Sequence, residues 1–256
     1  PFAAGGPTDT LARNLAQQMS KTLKQQVIVE NRAGAGGTLA AGLIAKSKPE
    51  GYQVLIAHIG MSTAPALYRK LPFNPLTDFE YIGQVIDVPM TLVANNNFPP
   101  NTFAELLPYL KANKDKVNYA NAGLGAASHL CGLLFMSAIE VDLQTIPYKG
   151  TAPANTDLMA GSVQFFMDPW TALLPLATSG RAKGLFVTSK ERTTLAPNIP
   201  TSAEVVLKDF NLSSWYGVWA PKDTPDAIVN KLAAGMAAVS SDKGFIDKTT
   251  SLGIVP

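Results

Sequence analysis

Residues 117–167, VNYANAGLGAASHLCGLLFMSAIEVDLQTIPYKGTAPANTDLMAGSVQFFM, contain short apolar segments separated by glycine-rich and polar turns. Short apolar segments predict strands at Val117–Ala120, Leu143–Pro147 and Val163–Met167. Between them, apolar residues at helical spacing predict helices at Ser128–Ile139 and Pro153–Ala160. Strands that alternate with helices of this length are typical of parallel sheets with crossover helices, so the predicted class is α/β.

The same alternation extends in both directions along the chain. Apolar residues at helical spacing predict a first helix from Leu11 to Leu23, and Asp223-Thr224-Pro225-Asp226 provides an N-cap and a first-turn proline for a helix that reaches Val239. Thr102–Glu105 and Thr201–Glu204 both have the spacing of a capping box. The remaining predicted elements are helices at Leu39–Lys46 and Ala172–Thr178, strands at Val27–Val29, Gln53–Ile59 and Gly184–Thr188, and a loop at Leu71–Asp78.

Two extended stretches, Met90–Ala94 and Trp215–Ala220, lie where the chain would leave one sheet and later return to it. If both connect the same pair of sheets, they form a two-stranded hinge with a cleft between two lobes. Residues 1–95 and 216–256 would then form the first lobe and residues 96–215 the second, each a mostly parallel sheet flanked by helices. A single doubly wound sheet would give a similar pattern, so that alternative stays open.

Composition excludes several classes of protein. The chain has 256 residues, 46% hydrophobic and 16% charged, with a net charge of +2 and scattered basic residues. Disorder, a coiled coil and a nucleic-acid partner are therefore not expected. No apolar run reaches the roughly 18 residues of a membrane span, so a soluble protein is expected. One cysteine and two histidines supply neither a disulfide nor a structural zinc site, and no metal or other cofactor is expected.

The sequence begins at Pro1-Phe2 without a Met or a signal peptide, and it ends at Val255-Pro256. We expect both ends to be trimmed.

Two glycine-rich turns that lead into helices are candidate anion sites. The first is Pro1–Thr10, before the Leu11 helix, and the second is Ala122–His129. Glycines allow close approach to the backbone, and the N–H groups of a first helical turn favour an anion. An alternative for the first turn is that Thr8 or Asp9 merely caps the helix.

A third glycine-rich turn, Gly34–Leu39, follows the predicted strand at Val27–Val29 and suggests dinucleotide binding. It has Leu39 where the third glycine of the Rossmann fingerprint would stand, and the chain has no P-loop motif. Nucleotide binding is therefore not expected.

A serine hydrolase is the second functional class to consider. Gly60–Ala64 resembles a nucleophile elbow, with Ser62 as nucleophile, Asp78, Asp87 or Asp115 as the acid and His129 as the base. The mid-chain position of His129 is unusual for that fold. Cys131 is two residues from His129 on the same helix, so the two do not face each other, and Cys131 is expected to be a small buried hydrophobe.

A series of segments carries a family resemblance. They are PFAAGGPTD (1–9), VENRAGAGG (29–37), GY (51–52), LYRKLPF (67–73), DF (78–79), SHL (128–130), PYKG (147–150) and FMD (166–168). In this order they resemble the TctC/Bug-type extracytoplasmic solute receptors of tripartite tricarboxylate transporters. The resemblance covers essentially the whole chain.

The resemblance implies a monomeric periplasmic binding protein, not an enzyme, that binds a small carboxylate between two lobes. The range of ligands includes mono- and dicarboxylates, aromatic ones among them. The implied protein partners are the membrane permease subunits of the transporter. The binding mechanism would rely on neutral amides, hydroxyls and water, because neither anion loop contains Lys or Arg.

The resemblance also implies which residues contact the ligand. They come from the first loop, the segment after the third strand and the second lobe: Phe2, Ala4, Gly5, Gly6, Thr8, Asp9, His58, Met61, Ser62, Thr63, Gly125, Ser128, Tyr148 and Asp168. Tyr148 is either a contact at the cleft edge or part of a turn, and Arg32 is expected to brace the first lobe. Pro169 after Asp168 departs from the Asn that is frequent in the family, which puts a polar contact there in doubt.

Overall fold

The computed structural model describes residues 1–205, 207, 209–252 and 254. The prediction that the sequence is trimmed at Val255-Pro256 falls on residues outside those that the structure describes. The chain divides into two compact units, Pro1–Asp87 with Trp215–Pro256, and Val88–Ser214. The sequence-based boundaries are residues 95 and 215; the first boundary in the structure differs because it lies inside a long strand rather than at its end.

Unit 1, the discontinuous unit, consists of α1 (Pro7–Leu23), α2 (Thr38–Ile44), β1 (Leu55–His58), α3 (Gly60–Leu67), the first part of β2 (Phe79–Ala94), most of β7 (Ser213–Pro221), α8 (Asp226–Ser240) and α9 (Lys243–Ser251). Strand β1 pairs antiparallel with β7, which places His58 opposite Tyr216. Leu11, Leu15 and Met19 form the buried stripe of α1, and this helix packs against α8. Pro7 is the first residue of α1. Its ring fixes φ near the helical value, and the N–H that it lacks would have no partner within the helix, so proline favours helix initiation at this position.

Unit 2 consists of the end of β2, α4 (Phe103–Asn113), β3 (Asn118–Asn121), α5 (Ala127–Ile139), β4 (Gln144–Pro147), α6 (Thr151–Ala160), β5 (Phe165–Pro169), α7 (Trp170–Thr178) and β6 (Lys183–Val187). Strand β3 pairs in parallel with β4 and β5. Strand β2 pairs antiparallel with β5 and β6. The sheet is therefore mixed, and its core contains Val93, Phe166 and Leu173, all fully buried.

Most predicted elements are present, with shifts of a few residues at their ends. Thr102 caps α4 as expected, because its hydroxyl accepts the N–H of Glu105. The same hydrogen bond forms between Thr201 and Glu204, but the residues that follow form turns rather than a helix.

Two local predictions are wrong, and one helix was not predicted. Val27–Val29 forms no strand: Ile28 is 78% exposed, so the apolar run has no sheet to pack against. Asp223 does not cap α8, because it adopts a left-handed conformation with φ 63° and the helix begins after Pro225. Helix α9 was not expected; Asp242 caps it by accepting the N–H of Phe245.

Among the residues described, no helix combines the length and the hydrophobicity that a membrane span requires.

Candidate functional site

The carboxylate of Asp9 holds the first glycine-rich loop in its conformation through hydrogen bonds. Asp9 Oδ2 accepts the N–H of Gly5 at 2.9 Å and the Nε of Arg13 at 3.0 Å. Burial opposes ionisation of Asp9, but the hydrogen bonds from Arg13, Gly5 and Asn31 outweigh it and keep its pKa below the ordinary value. Both oxygens of Asp9 are therefore used within the unit, so this residue shapes the loop rather than offering a group to a ligand.

Asn31 positions the first loop, a role that the sequence analysis missed. Its side-chain amide donates to the carbonyl of Phe2 at 3.1 Å and to Asp9 Oδ1 at 2.9 Å. Arg32 was expected to stabilise the first lobe. Instead it forms an ion pair with Glu30 at the surface, where both side chains are more than half exposed. An Asn between two charged residues in the VENRAGAGG segment is a signal that could have suggested this role.

The start of α1 offers backbone donors to an anion. Gly6 precedes the helix and no side chain caps it. Gly5 has φ 85°, a conformation that glycine adopts without strain. Thr8 is 4% exposed, and within the described part of the chain its hydroxyl makes no hydrogen bond. The alternative that Thr8 caps the helix is therefore wrong, and its hydroxyl remains available, whereas Asp9 has a structural role because it accepts the N–H of Gly5 just before the helix.

His58 lies in an aromatic stack beside this loop. Its ring stacks on Phe2 with a centroid distance of 4.9 Å and meets Tyr216 edge-on at 6.1 Å. Burial lowers the pKa of His58 to about 4, so the ring is neutral at neutral pH. Nδ1 accepts the N–H of Gly60 at 2.9 Å, which leaves the proton on Nε2. His58 is thus a neutral hydrogen-bond donor.

The side chains of three residues near the start of α3, Met61, Ser62 and Thr63, are less available to a ligand than expected. The hydroxyl of Ser62 donates to the carbonyl of Ile59 at 2.8 Å, and that of Thr63 donates to Gly60 at 3.4 Å. Met61 is buried in a core cluster with Trp219. A ligand contact with either hydroxyl would have to replace an existing hydrogen bond.

The hydrolase alternative finds no support in this geometry. A serine nucleophile needs a histidine nitrogen that can accept its proton. His129 Nδ1 accepts the N–H of Gly125 at 3.3 Å, so His129 carries its proton on Nε2, as His58 does. In the described ranges neither histidine is bonded to Ser62. Cys131 is buried as expected, and burial raises the pKa of its thiol to about 12.

The second glycine-rich turn leads into α5. Gly123 and Gly125 have φ of 118° and 80°, and no side chain caps the helix. Ser128 is fully buried: its hydroxyl accepts the N–H of Ala122 at 2.8 Å and bonds to Asp168. Ser128 therefore positions the turn and the carboxyl group.

Asp168 lies at the end of β5 and is 2% exposed. Burial raises its pKa to about 7, although hydrogen bonds from Thr151 and Ser128 act in the opposite direction. Thr151, the first residue of α6, donates to Asp168 Oδ2. The sequence analysis missed Thr151, which immediately follows the PYKG segment.

The hydrogen bonds of Tyr148 favour the alternative in which this residue is part of a turn rather than a ligand contact. Its hydroxyl donates to Asp157 at 2.7 Å, and its N–H donates to the carbonyl of Asn121 at 2.8 Å. Burial, together with Asp157, raises the pKa of Tyr148 to about 12. The hydroxyl is therefore already paired.

The structure thus gathers the predicted residues in two groups, one in each unit. In unit 1, Phe2, Ala4, Gly5, Gly6 and Thr8 form the loop beside His58, with Asp9 behind it. In unit 2, the side chain of Ser128 is hydrogen-bonded to that of Asp168. Nowhere in the described ranges do His, Cys, Asp and Glu side chains form a group of three or more that could hold a metal ion.

The comparisons with known proteins now decide the family. The sequence profile of the tripartite tricarboxylate transporter family receptors, TctC, matches residues 11–255. The chain belongs to this receptor family. The chain is also similar to solved periplasmic binding proteins over its whole length.

Three solved structures are close to this TctC receptor, and each covers 100% of the chain. The periplasmic binding protein BugD is 48% identical with a TM-score of 0.97, and 85% of its chain is covered. MatC from Rhodopseudomonas palustris, solved with malate, is 36% identical with a TM-score of 0.95 and 87% covered. A second R. palustris protein, solved with adipate, is 33% identical with a TM-score of 0.95 and 86% covered. The TctC receptor therefore has the two-lobed α/β fold of periplasmic binding proteins.

Proposed function

We propose that this TctC receptor binds a small carboxylate and does not convert it, and that the start of α1 in unit 1 and the start of α5 in unit 2 each provide donors for carboxylate oxygens. The observation that carries the proposal is that a glycine-rich turn precedes each helix and no side chain caps either one. The N–H groups of the two first turns are therefore available to oxygen atoms of a ligand. The binding of malate and adipate by two similar proteins supports this ligand class.

The charges around the first loop support a site made of neutral donors. Neither Phe2–Asp9 nor Ala122–His129 contains Lys or Arg. Arg13 is paired with Asp9, and His58 is uncharged with a proton on Nε2. Backbone amides, the Thr8 hydroxyl and His58 would hold a carboxylate by hydrogen bonds, which are stronger when the acceptor is charged.

The family supports a role in transport. As a family receptor, the protein would deliver its ligand to the permease subunits of a tripartite tricarboxylate transporter, and it would act as a monomer in the periplasm. Similarity to BugD, a periplasmic binding protein, supports that compartment. Fractionation of cells that express the full-length gene tests the compartment, and an unprocessed protein in the cytosol would contradict it.

A thermal-shift panel tests the ligand class. A ligand that binds only the folded protein raises its melting temperature, and a concentration of 100 times Kd adds about 2.7 kcal/mol of stability. We expect shifts with malate, adipate or an aromatic carboxylate, and smaller shifts for Thr8→Ala. The matched control is Thr22→Ala, on the exposed side of the same helix. The absence of any shift across the panel, or equal effects of both variants, would contradict the proposal.

A further inference from the structure

Asp168 is a buried carboxyl without a cationic partner. None of the ion pairs among the described residues includes it. Its hydrogen-bond donors are two hydroxyls, from Thr151 at the start of α6 and from Ser128 at the start of α5. Its charge is therefore stabilised only by neutral groups, and burial makes ionisation unfavourable.

The titratable groups on the elements packed against β5 do not supply a positive charge. Strand β3 contributes Tyr119 and helix α5 contributes Cys131, and burial raises the pKa of both, so both stay neutral. Helix α5 also carries His129, whose pKa is lowered by burial. Helix α6 carries Asp157, which accepts the hydroxyl of Tyr148. Helix α7 and the unit 2 part of β2 have no titratable side chain.

Thr91 can accept a hydrogen bond from the carboxyl group of Asp168 when that group is protonated. In the β2–β5 ladder Thr91 is directly opposite Asp168, where Cβ atoms are about 4.5–5.5 Å apart. The Thr91 hydroxyl is buried and, among the residues that the structure describes, it has no hydrogen-bond partner. An ionised Asp168 uses two donors, whereas a protonated Asp168 also needs an acceptor for its own O–H, and the Thr91 oxygen can be that acceptor.

We propose that Asp168 takes up a proton from solvent when a carboxylate ligand binds beside it, so that ligand binding is coupled to proton uptake. The inference rests on the proposed function, because a ligand held at the start of α5 would lie near the Ser128–Asp168 pair. Two carboxylates in a buried site repel each other, and protonation of Asp168 removes that repulsion.

The coupling predicts how affinity depends on pH. If only protein with protonated Asp168 binds, affinity follows the protonated fraction of that residue. For a pKa of about 7, affinity falls roughly 25-fold between pH 6.5 and pH 8.5. Simple aliphatic dicarboxylates such as malate and adipate are fully ionised over this range, so the ligand itself contributes no such change.

Calorimetric titration with malate and with adipate tests the coupling. In buffers of different ionisation enthalpy at pH 8, we expect close to one proton taken up for each ligand bound. This measurement needs no variant. Asp168→Asn, which resembles the protonated form, should bind with the same affinity at pH 6.5 and pH 8.5. Asp142→Asn, a control on the exposed surface of unit 2, should keep the pH dependence of the wild type.

The outcomes separate this inference from the proposed function. If no carboxylate binds the wild-type protein at any pH, the proposed function fails. If a carboxylate binds without proton uptake, or if Asp168→Asn keeps the wild-type pH dependence, the proposed function stands and the inference about Asp168 is overturned. A melting curve of each variant shows whether it is folded.

Discussion

Replacing Asp168 with Asn should remove a loss of stability that the wild-type protein undergoes between pH 5 and pH 8. The pKa of Asp168 rises from 3.8 to about 7 on folding because the carboxyl is buried. The folded protein therefore binds more protons than the unfolded chain between these values. The stability contributed by this group is fully present below pH 3.8, and it is lost as the pH rises through 7.

The size of the effect follows from linkage. For these two pKa values, the free energy of unfolding decreases by roughly 2–3 kcal/mol between pH 5 and pH 8. Asp168→Asn cannot ionise and does not show this decrease. The variant also changes the hydrogen bonds with Thr151 and Ser128, but that cost is the same at both pH values and cancels when the two are compared.

Urea denaturation at pH 5 and pH 8 measures the effect. For each pH, the free energy of unfolding of the wild type is subtracted from that of the variant. We expect this difference to be roughly 2–3 kcal/mol larger at pH 8 than at pH 5 for Asp168→Asn. For the exposed Asp142→Asn control, it should move by less than about 0.5 kcal/mol. A difference for Asp168→Asn that is independent of pH would refute the reasoning.

Three further predictions concern the rest of the molecule. Asn31→Ala removes the amide that holds the first loop and should cost about 1–3 kcal/mol in thermal or urea unfolding, whereas the neighbouring surface variant Arg32→Ala should cost under about 0.5 kcal/mol; equal costs would argue against the bracing role. Hydrolysis of an activated ester should stay at background and be unaffected by Ser62→Ala, because no base is bonded to that hydroxyl in the described residues; turnover that this variant abolishes would restore the hydrolase alternative. A Cβ at position 132 would lie 2.3 Å from the ring of Tyr119, so Gly132→Ala should lower stability by about 1–3 kcal/mol, whereas Gly83→Ala, with ordinary contacts, should not; similar melting temperatures for the two would contradict this packing.

The sequence predicts the alternation of elements well, because it depends on local periodicity and capping. The α5 helix and the capping box at Thr102 are examples. Val27–Val29 shows the limit of this approach, since an apolar run forms a strand only if a partner strand is available.

The polar partners within the site could not be predicted in the same way. Asn31 reaches Asp9 across 22 residues, and Thr151 reaches Asp168 across 17. Such pairs depend on tertiary structure, and sequence spacing does not report it. The same holds for the hydroxyl of Ser128, which sequence alone leaves available and the fold uses for Ala122 and Asp168.

Tyr119 has a consequence for the thermodynamics of binding. Its hydroxyl donates to the carbonyl of Ser128 at 2.7 Å and to that of Met167 at 3.4 Å. One side chain thus fixes the first turn of α5 to the strand end that carries Asp168. The conformational entropy of these two segments is lost when the protein folds, so a ligand does not have to order them. A Tyr119→Phe receptor would keep the ring but relax this link, and its binding would carry a larger entropic penalty at a similar enthalpy.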